Sequence, residues 1–219
     1  LDRGTPTPSP DSGLTPRHDR AGRPDLIEVK AFHHRQGEKE PSSTVPVSSL
    51  RSPMKAAIIN FTGGRENWGC QATSDEMLRF CRGIIARWPQ SEIMLVPCLP
   101  KHALDSFIER VHGKRIRRIF AAECPRPSDL RFLEGLVEQR FGAMIERVRS
   151  SDIVIFQGEG TMGPKVHFRG LRFFALPFLA KHLWRKPVVS LNQSFYAARP
   201  SDLAVAANIY RHFDIVALR

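Results

Sequence analysis

Glu159 stands between Gly158 and Gly160, directly after the apolar run Ile153-Val154-Ile155-Phe156 and the amide Gln157. A carboxylate held between two glycines has little side-chain crowding, so it can meet a polar ligand. Glycine also lets the backbone turn sharply and lets a ligand approach closely. Two other apolar runs empty into polar loops. Lys55 to Phe61 leads into Thr62-Gly63-Gly64-Arg65-Glu66-Asn67-Trp68-Gly69-Cys70-Gln71, and Pro187 to Leu191 leads into Asn192-Gln193-Ser194. Each loop by itself has a plain reading as a turn made of ordinary turn residues. Their number points to a site, provided that the three runs are parallel neighbours whose tips share one edge.

The runs have the character such an edge requires. Unbroken Ile, Val and Phe suit strands buried on both faces, as in a parallel sheet. In open parallel sheets ligands bind outside the carboxyl ends of the strands. The remaining pattern alternates strands with helices. Thr73 with Glu76 reads as a capping box that opens a helix carrying Met77, Leu78, Cys81, Ile84, Ile85 and Trp88, with Pro89 as its stop. A strand is expected at Glu92 to Cys98. A helix follows with Leu104, Phe107, Ile108 and Val111 on its buried face and Gly113 as its C-terminal cap. Ile116 to Phe120 reads as a short strand. Pro125 and Pro127 then precede a helix whose buried stripe is Leu130, Leu133, Val137, Phe141, Met144 and Val148.

Further on, a strand is expected at 152–157, a helix over about 171–184 bent at Pro177, a strand at 187–191, a helix near 201–210 and a last strand from Asp214 to Leu218. Strands alternating with helices through short connections imply a doubly wound, mainly parallel Rossmann-like α/β sheet with helices on both faces.

The chain has 219 residues, and residues 1–53 hold 8 of its 17 prolines with few bulky apolar groups. A segment of that kind cannot bury enough apolar surface to offset its ordering entropy, so a disordered Pro/Ser-rich tail is expected there. Met54 immediately before the first strand reads as a translation start, which would make the tail an upstream extension. The chain begins at Leu1 and stops at Arg219 just after a strand, so a body of residues 54–219, cut at its end, is expected.

The net charge of +11 falls almost wholly on that body, with 25 Lys or Arg against 15 Asp or Glu. A basic surplus favours anionic partners such as phosphorylated substrates or the anionic face of a membrane. No arginine-rich helix, zinc spacing or aromatic-interleaved RNA signature is present, so nucleic acid is not expected as a partner. Cys70, Cys81, Cys98 and Cys124 form no C-x-x-C pair, which suits a reducing cytoplasm, with Cys81 and Cys98 as core residues. The histidines show no metal spacing, and no metal is expected. The longest apolar block, Phe173 to Ala180, falls far short of the ~20 residues that span a bilayer.

Three stretches carry a family resemblance: Asn67-Trp68-Gly69-Cys70-Gln71-Ala72-Thr73-Ser74, Asp152 to Thr161, and Lys186 to Ser194, with a terminal Asp214-Ile215-Val216-Ala217-Leu218-Arg219. On them the chain resembles the polysaccharide pyruvyl transferase family over most of residues 54–219. The resemblance implies a two-domain architecture of the GT-B kind, of which this chain would be the N-terminal half, truncated before the second. It implies transfer of a pyruvyl group from phosphoenolpyruvate to two hydroxyls of a glycan, lipid-linked or free, as a ketal in cell-surface or exopolysaccharide synthesis. Phosphoenolpyruvate is then a co-substrate, and no cofactor is expected. The location implied is the cytoplasm, at the inner face of the membrane.

In such an enzyme the catalytic groups would lie in the second half, so this chain supplies substrate-binding candidates: Asn67, Gly69, Thr73, Ser74, Gly158, Glu159, Gly160, Thr161, Gln193 and Arg219. Arg219 matches a family position and would pair with a donor carboxylate or phosphate. Thr73 and Ser74, at the expected helix start, would offer backbone N–H groups to an anion.

Plain roles compete with these: Glu159 as a structural hub, Thr73 and Ser74 as caps, Asn67 bonded to its own turn, Trp68 as cover for the sheet edge. Lys165 and Arg169 read as solvated charges, and His167 and His182 as lone surface or packing residues. Two other functions stay open, a nucleotide-sugar glycosyltransferase on the same architecture and a non-catalytic fragment that meets anionic partners.

Overall fold

The structure, a computed structural model, describes residues 52–100, 102–162, 173–195 and 200–218, with backbone alone at 159–162, 193–195 and 218. The tail before residue 52, Lys165, His167, Arg169 and Arg219 therefore lie outside the described residues. Among the described residues five strands form one sheet in the order β2-β1-β3-β4-β5. They are β1 (Lys55–Phe61), β2 (Glu92–Pro97), β3 (Ile153–Met162), β4 (Val188–Phe195) and β5 (Ile215–Leu218), and every neighbouring pair is parallel. The α/β class and the parallel sheet expected from the alternation are both observed.

Period-two packing explains the centre of the sheet. Ala56 and Ile58 of β1 face one side, with Ile155 of β3; Ala57 and Ile59 face the other, with Val154 and Phe156. The first side is covered by α1 (Trp68–Ile85) through Met77, Cys81 and Ile85. The second is covered by α2 (Ala103–Ala121), α3 (Pro127–Phe141), α4 (Met144–Arg149), α5 (Ala175–His182) and α6 (Pro200–Arg211). The largest fully buried side chains, Phe120, Phe156, Phe174 and Phe178, lie in that thicker layer. Each contributes on the order of 2–3 kcal/mol by leaving water. Among the described residues only α1 covers the other face, leaving an apolar groove of about 350 Å³ bounded by Phe80, Ile84, Trp88, Val189, Leu191 and Ile215.

Several expectations are corrected. The strand at 116–120 is the second half of α2, which runs through Gly113 without a break. Ile108, Ile116, Ile119 and Phe120 recur on one helical face and all are buried, so packing overrides the β preference of the isoleucines. Phe107 and Val111, expected inside, are exposed instead. Arg115 and Arg117 fix the helix further: Arg115 pairs with Asp129 and stacks on Phe132, and Arg117 lies 2.6 Å from Asp202 of α6.

The long helix after Pro127 is broken into α3 and α4 by Gly142, whose φ of +54° no helix accommodates. Pro127 itself occupies the first turn of α3, as its missing N–H allows. Pro177 falls in the first turn of α5, directly after a π-helical turn at Phe173 and Phe174, and residues 171–172 of the expected helix lie outside the described residues. Ala175 to Ala180 are all buried, so the longest apolar block is a core helix. Among the described residues no helix is long and apolar enough to cross a membrane. Finally, β3 and β4 continue past the expected ends at Gln157 and Leu191, to Met162 and Phe195.

Candidate functional site at the carboxyl edge of the sheet

The chain steps from β1 outward to β2, then returns across β1 to β3 and continues to β4 and β5. Strand order therefore reverses between β1 and β3. The loops leaving their carboxyl ends diverge there and open the crevice where ligands of such sheets bind. The three tips singled out in the sequence lie on this edge: Ile59 pairs with Phe156 two residues before the end of β1, and Gln157 pairs with Leu191.

The floor of the edge is a buried polar cluster. Gln157, fully buried, donates through Nε2 to Thr62 Oγ1 at 3.0 Å and to Ser74 Oγ at 2.7 Å. The two hydroxyls are 2.9 Å apart and also fully buried. Asn60 Nδ2 donates to the Gln157 carbonyl at 2.6 Å. Asn60 has φ +60° at a register shift in β1, and Asn192 has φ +55° at a register shift in β4. Left-handed backbone costs a non-glycine residue of order 1 kcal/mol or more, and such residues cluster at ligand sites. Asn60, Thr62 and Gln157 were not among the sequence candidates. The available signal was Gln157 itself, an amide inside an apolar run, which must find partners when buried.

Above this floor starts α1, and its beginning corrects the expected capping box. Asn67 is the N-cap: its Oδ1 accepts from the Cys70 N–H at 3.1 Å, and its carbonyl accepts from the Gln71 N–H at 3.0 Å. The turn reading of Asn67 thus describes what it does. Gly69 is in the first turn, where a Cβ would press against Asn67 Oδ1 at 3.3 Å. Thr73 and Ser74 lie one turn inside the helix, so their N–H groups cannot serve an anion at its start. Thr73 Oγ1 donates back to the Gly69 carbonyl, and Ser74 faces Gln157. Trp68 covers nothing, being 86% exposed. No acidic residue occupies the first turn of α1, so its positive end is uncompensated by the helix's own side chains.

The loop between β1 and α1 is held in place by its own bonds. Gly63 has no room for a side chain, since a Cβ would lie 2.7 Å from the Phe61 ring. Gln71 Nε2 donates to the Arg65 carbonyl at 2.9 Å, and the Arg65 guanidinium donates to Cys98 Sγ at 2.6 Å. Arg65 thereby joins the β1 loop to the carboxyl end of β2.

The other wall is the extension of β3 and β4. Gly158, Glu159, Gly160 and Thr161 are strand residues, not the loop expected, because β4 continues alongside and supplies hydrogen-bonding partners. Glu159 is the register partner of Gln193, and Gln193 in turn of Leu218. Two candidates are thus adjacent on neighbouring strands. Asn67 and Gly69 stand at the start of the helix that leaves the same edge through the β1 loop. Cys81 is a core residue as expected, its thiol pushed up to about 11 by burial. Among the described residues no group of three or more His, Cys, Asp and Glu is placed to hold a metal ion. No protein family, curated protein or solved structure matches the chain.

Proposed function

We propose that this domain is the substrate-binding N-terminal half of a transferase that moves a pyruvyl group from phosphoenolpyruvate to two sugar hydroxyls. The observation that carries the reading is the strand reversal between β1 and β3, with the start of α1 and the Glu159–Gln193 pairing on the same sheet edge. The positive end of α1, which no acidic residue of its first turn offsets, favours an anion such as a phosphate or carboxylate. Glu159 and Gln193 suit the hydroxyls of a sugar, one as acceptor and one as both donor and acceptor. Arg219, next after β5, would form a bidentate pair with the donor's carboxylate or phosphate.

The chemistry balances without a redox step. A proton is delivered to the methylene carbon of phosphoenolpyruvate, and the first sugar hydroxyl adds to the neighbouring carbon. Phosphate then leaves as the second hydroxyl adds, and both hydroxyl protons pass to a base. The acid and base would come from a second domain of the GT-B kind. The acceptor would be a glycan, lipid-linked or free, met at the cytoplasmic face of an anionic membrane that attracts the basic surface.

The same crevice suits the diphosphate of a nucleotide sugar, so the test carries both donors. The full-length protein is incubated with phosphoenolpyruvate and a glycan acceptor, and phosphate release is followed. Release that depends on the acceptor supports the pyruvyl reading. No release, together with turnover of a nucleotide sugar, overturns it.

A further inference from the structure

Away from the candidate site, two imidazoles are pressed together where α5, the α6–β5 turn and α2 meet. His182 is not the lone residue its sequence context suggests. It ends α5, and its ring lies edge-on to His212 with centroids 4.6 Å apart. The His182 ring also rests on Phe178 at 4.3 Å, and Phe178 packs edge-on against Phe120 of α2. Both Nε2 atoms are shut off from solvent without a hydrogen-bond partner. Both rings are half-buried, and a proton at either enclosed Nε2 would be a cation with no acceptor there, which is costly.

The surrounding charges add to that cost. Lys181 and Arg185 bear on His182, and Arg211 and Lys181 on His212, with Glu123 as the one opposing carboxylate among these. Lys181 is already engaged: its Nζ donates to Asp214 Oδ1 at 2.6 Å, and Asp214 Oδ2 accepts from the Val188 N–H at 2.7 Å. The Asp214 N–H donates in turn to the Val188 carbonyl at 2.9 Å. The imidazole pair thus sits where α5, the start of β4 and the approach to β5 are fastened to one another.

We infer that the His182–His212 contact is an acid-sensitive latch, whose proton uptake releases α6 and β5 from α5 and β4 while the rest of the sheet stays folded. A proton on either ring places a new cation beside Lys181, Arg185 and Arg211 and against the other ring. Asp214 cannot offset it without giving up Lys181. With β5 released, Gln193 loses Leu218 as its register partner, so acid loosens the β4 wall of the edge from outside inward. Burial, the partner ring and the neighbouring cations hold His182 down at about 4, and burial with Arg211 holds His212 below its ordinary value. Folded values below the unfolded one mean that the latch is intact above about pH 6.5 and is lost progressively as the pH falls below that.

Hydrogen exchange of the full chain, corrected for intrinsic amide chemistry, reads the latch segment by segment. Between about pH 7 and about pH 4.5, residues 200–218 are expected to lose roughly tenfold of their protection while α3 retains its own. His212→Phe keeps an aromatic ring and removes the titration; His182→Gln serves beside it in case the first does not fold. Either variant is expected to shrink the acid loss at 200–218. Equal loss in α3 and α6, or an undiminished acid response in the variants, would overturn the latch.

Discussion

The side-chain amide of Gln157 on β3 lies 2.7 Å from the hydroxyl of Ser74 on α1, and neither residue is exposed to solvent. This bond and its companion to Thr62 fasten the first helix to the strand end beneath the candidate crevice. Gln157→Leu keeps the volume but removes the amide that donates to both Thr62 and Ser74. The expected loss is about 1–3 kcal/mol of unfolding free energy. Ser74→Ala in the Gln157→Leu background should cost less than it does alone, since the shared bond is already gone. Urea denaturation of the four members of that cycle checks this; strict additivity would mean that the cluster does not act as a unit.

The start of α1 can be tested at Asn67. Removing the Oδ1 that accepts from Cys70 leaves an orphan N–H, so Asn67→Ala is expected to cost about 1 kcal/mol, while Asn67→Asp keeps the cap. Thr73→Ala is expected to change stability by only a few tenths of a kcal/mol, because a hydroxyl bonded to the carbonyl four residues back contributes little. The reverse ranking in chemical denaturation would restore the helix start to Thr73.

How far this edge was legible follows from the range of the signals. Alternation of apolar runs with helical spacing is local, and it predicts the parallel sheet with β1, β2 and the approach to β5 near their observed bounds. The partners of Gln157 are 95 and 83 positions away, and no local pattern encodes them. Thr73 with Glu76 matched a short template, yet Asn67 six residues earlier offered a better cap and the helix extended to it. Ile116, Ile119 and Phe120 read as a strand because their neighbours on α3 and α5 were out of view. Glu159 read as a loop residue because a glycine pair ordinarily ends a strand; β4 running alongside keeps it extended.

Two glycines test the bounds of α2 and α3. Gly113 lies within α2, and a Cβ there meets no atom within 4 Å. Gly113→Ala is therefore expected to stabilise the domain by roughly 0.5–1 kcal/mol, through lower chain entropy in the unfolded state. Gly142 also has open space, but its φ of +54° is strained for any side chain, so Gly142→Ala should destabilise by about 1 kcal/mol. Thermal melts of both variants check the pair, and a destabilised Gly113→Ala would argue for a helix end at that residue.

Glu159 offers a direct test of the proposed function. Glu159→Gln keeps shape and removes the charge, so a sugar hydroxyl that donates to the carboxylate loses about 1.5–3 kcal/mol of binding. That corresponds to a fall of roughly 10- to 100-fold in kcat/KM for the acceptor. Steady-state kinetics with the acceptor varied, alongside a melt, separates the outcomes. Unchanged kcat/KM removes Glu159 from the acceptor site, and a lowered Tm with normal kinetics assigns it to the scaffold.

Glu134 supplies a pH test whose local reporter is built in. Its carboxylate is buried between α3 and α4, bonded by Arg131 at 2.7 Å, Arg149 at 2.7 Å and Trp184 Nε1 at 3.1 Å. Burial alone would raise its pKa, but the hydrogen bonds from Arg131, Arg149 and Trp184 outweigh it and hold the group below the ordinary glutamate value. A folded pKa below the unfolded one means that the stabilisation is complete above the unfolded value, ~4.3, and is lost as the pH falls through the folded one. Glu134→Gln should therefore destabilise the domain near neutral pH and flatten its stability profile below about pH 4. The emission of Trp184 should shift in the same acid range in the native protein and not in the variant. An acid shift of equal size in both would place the titrating group elsewhere.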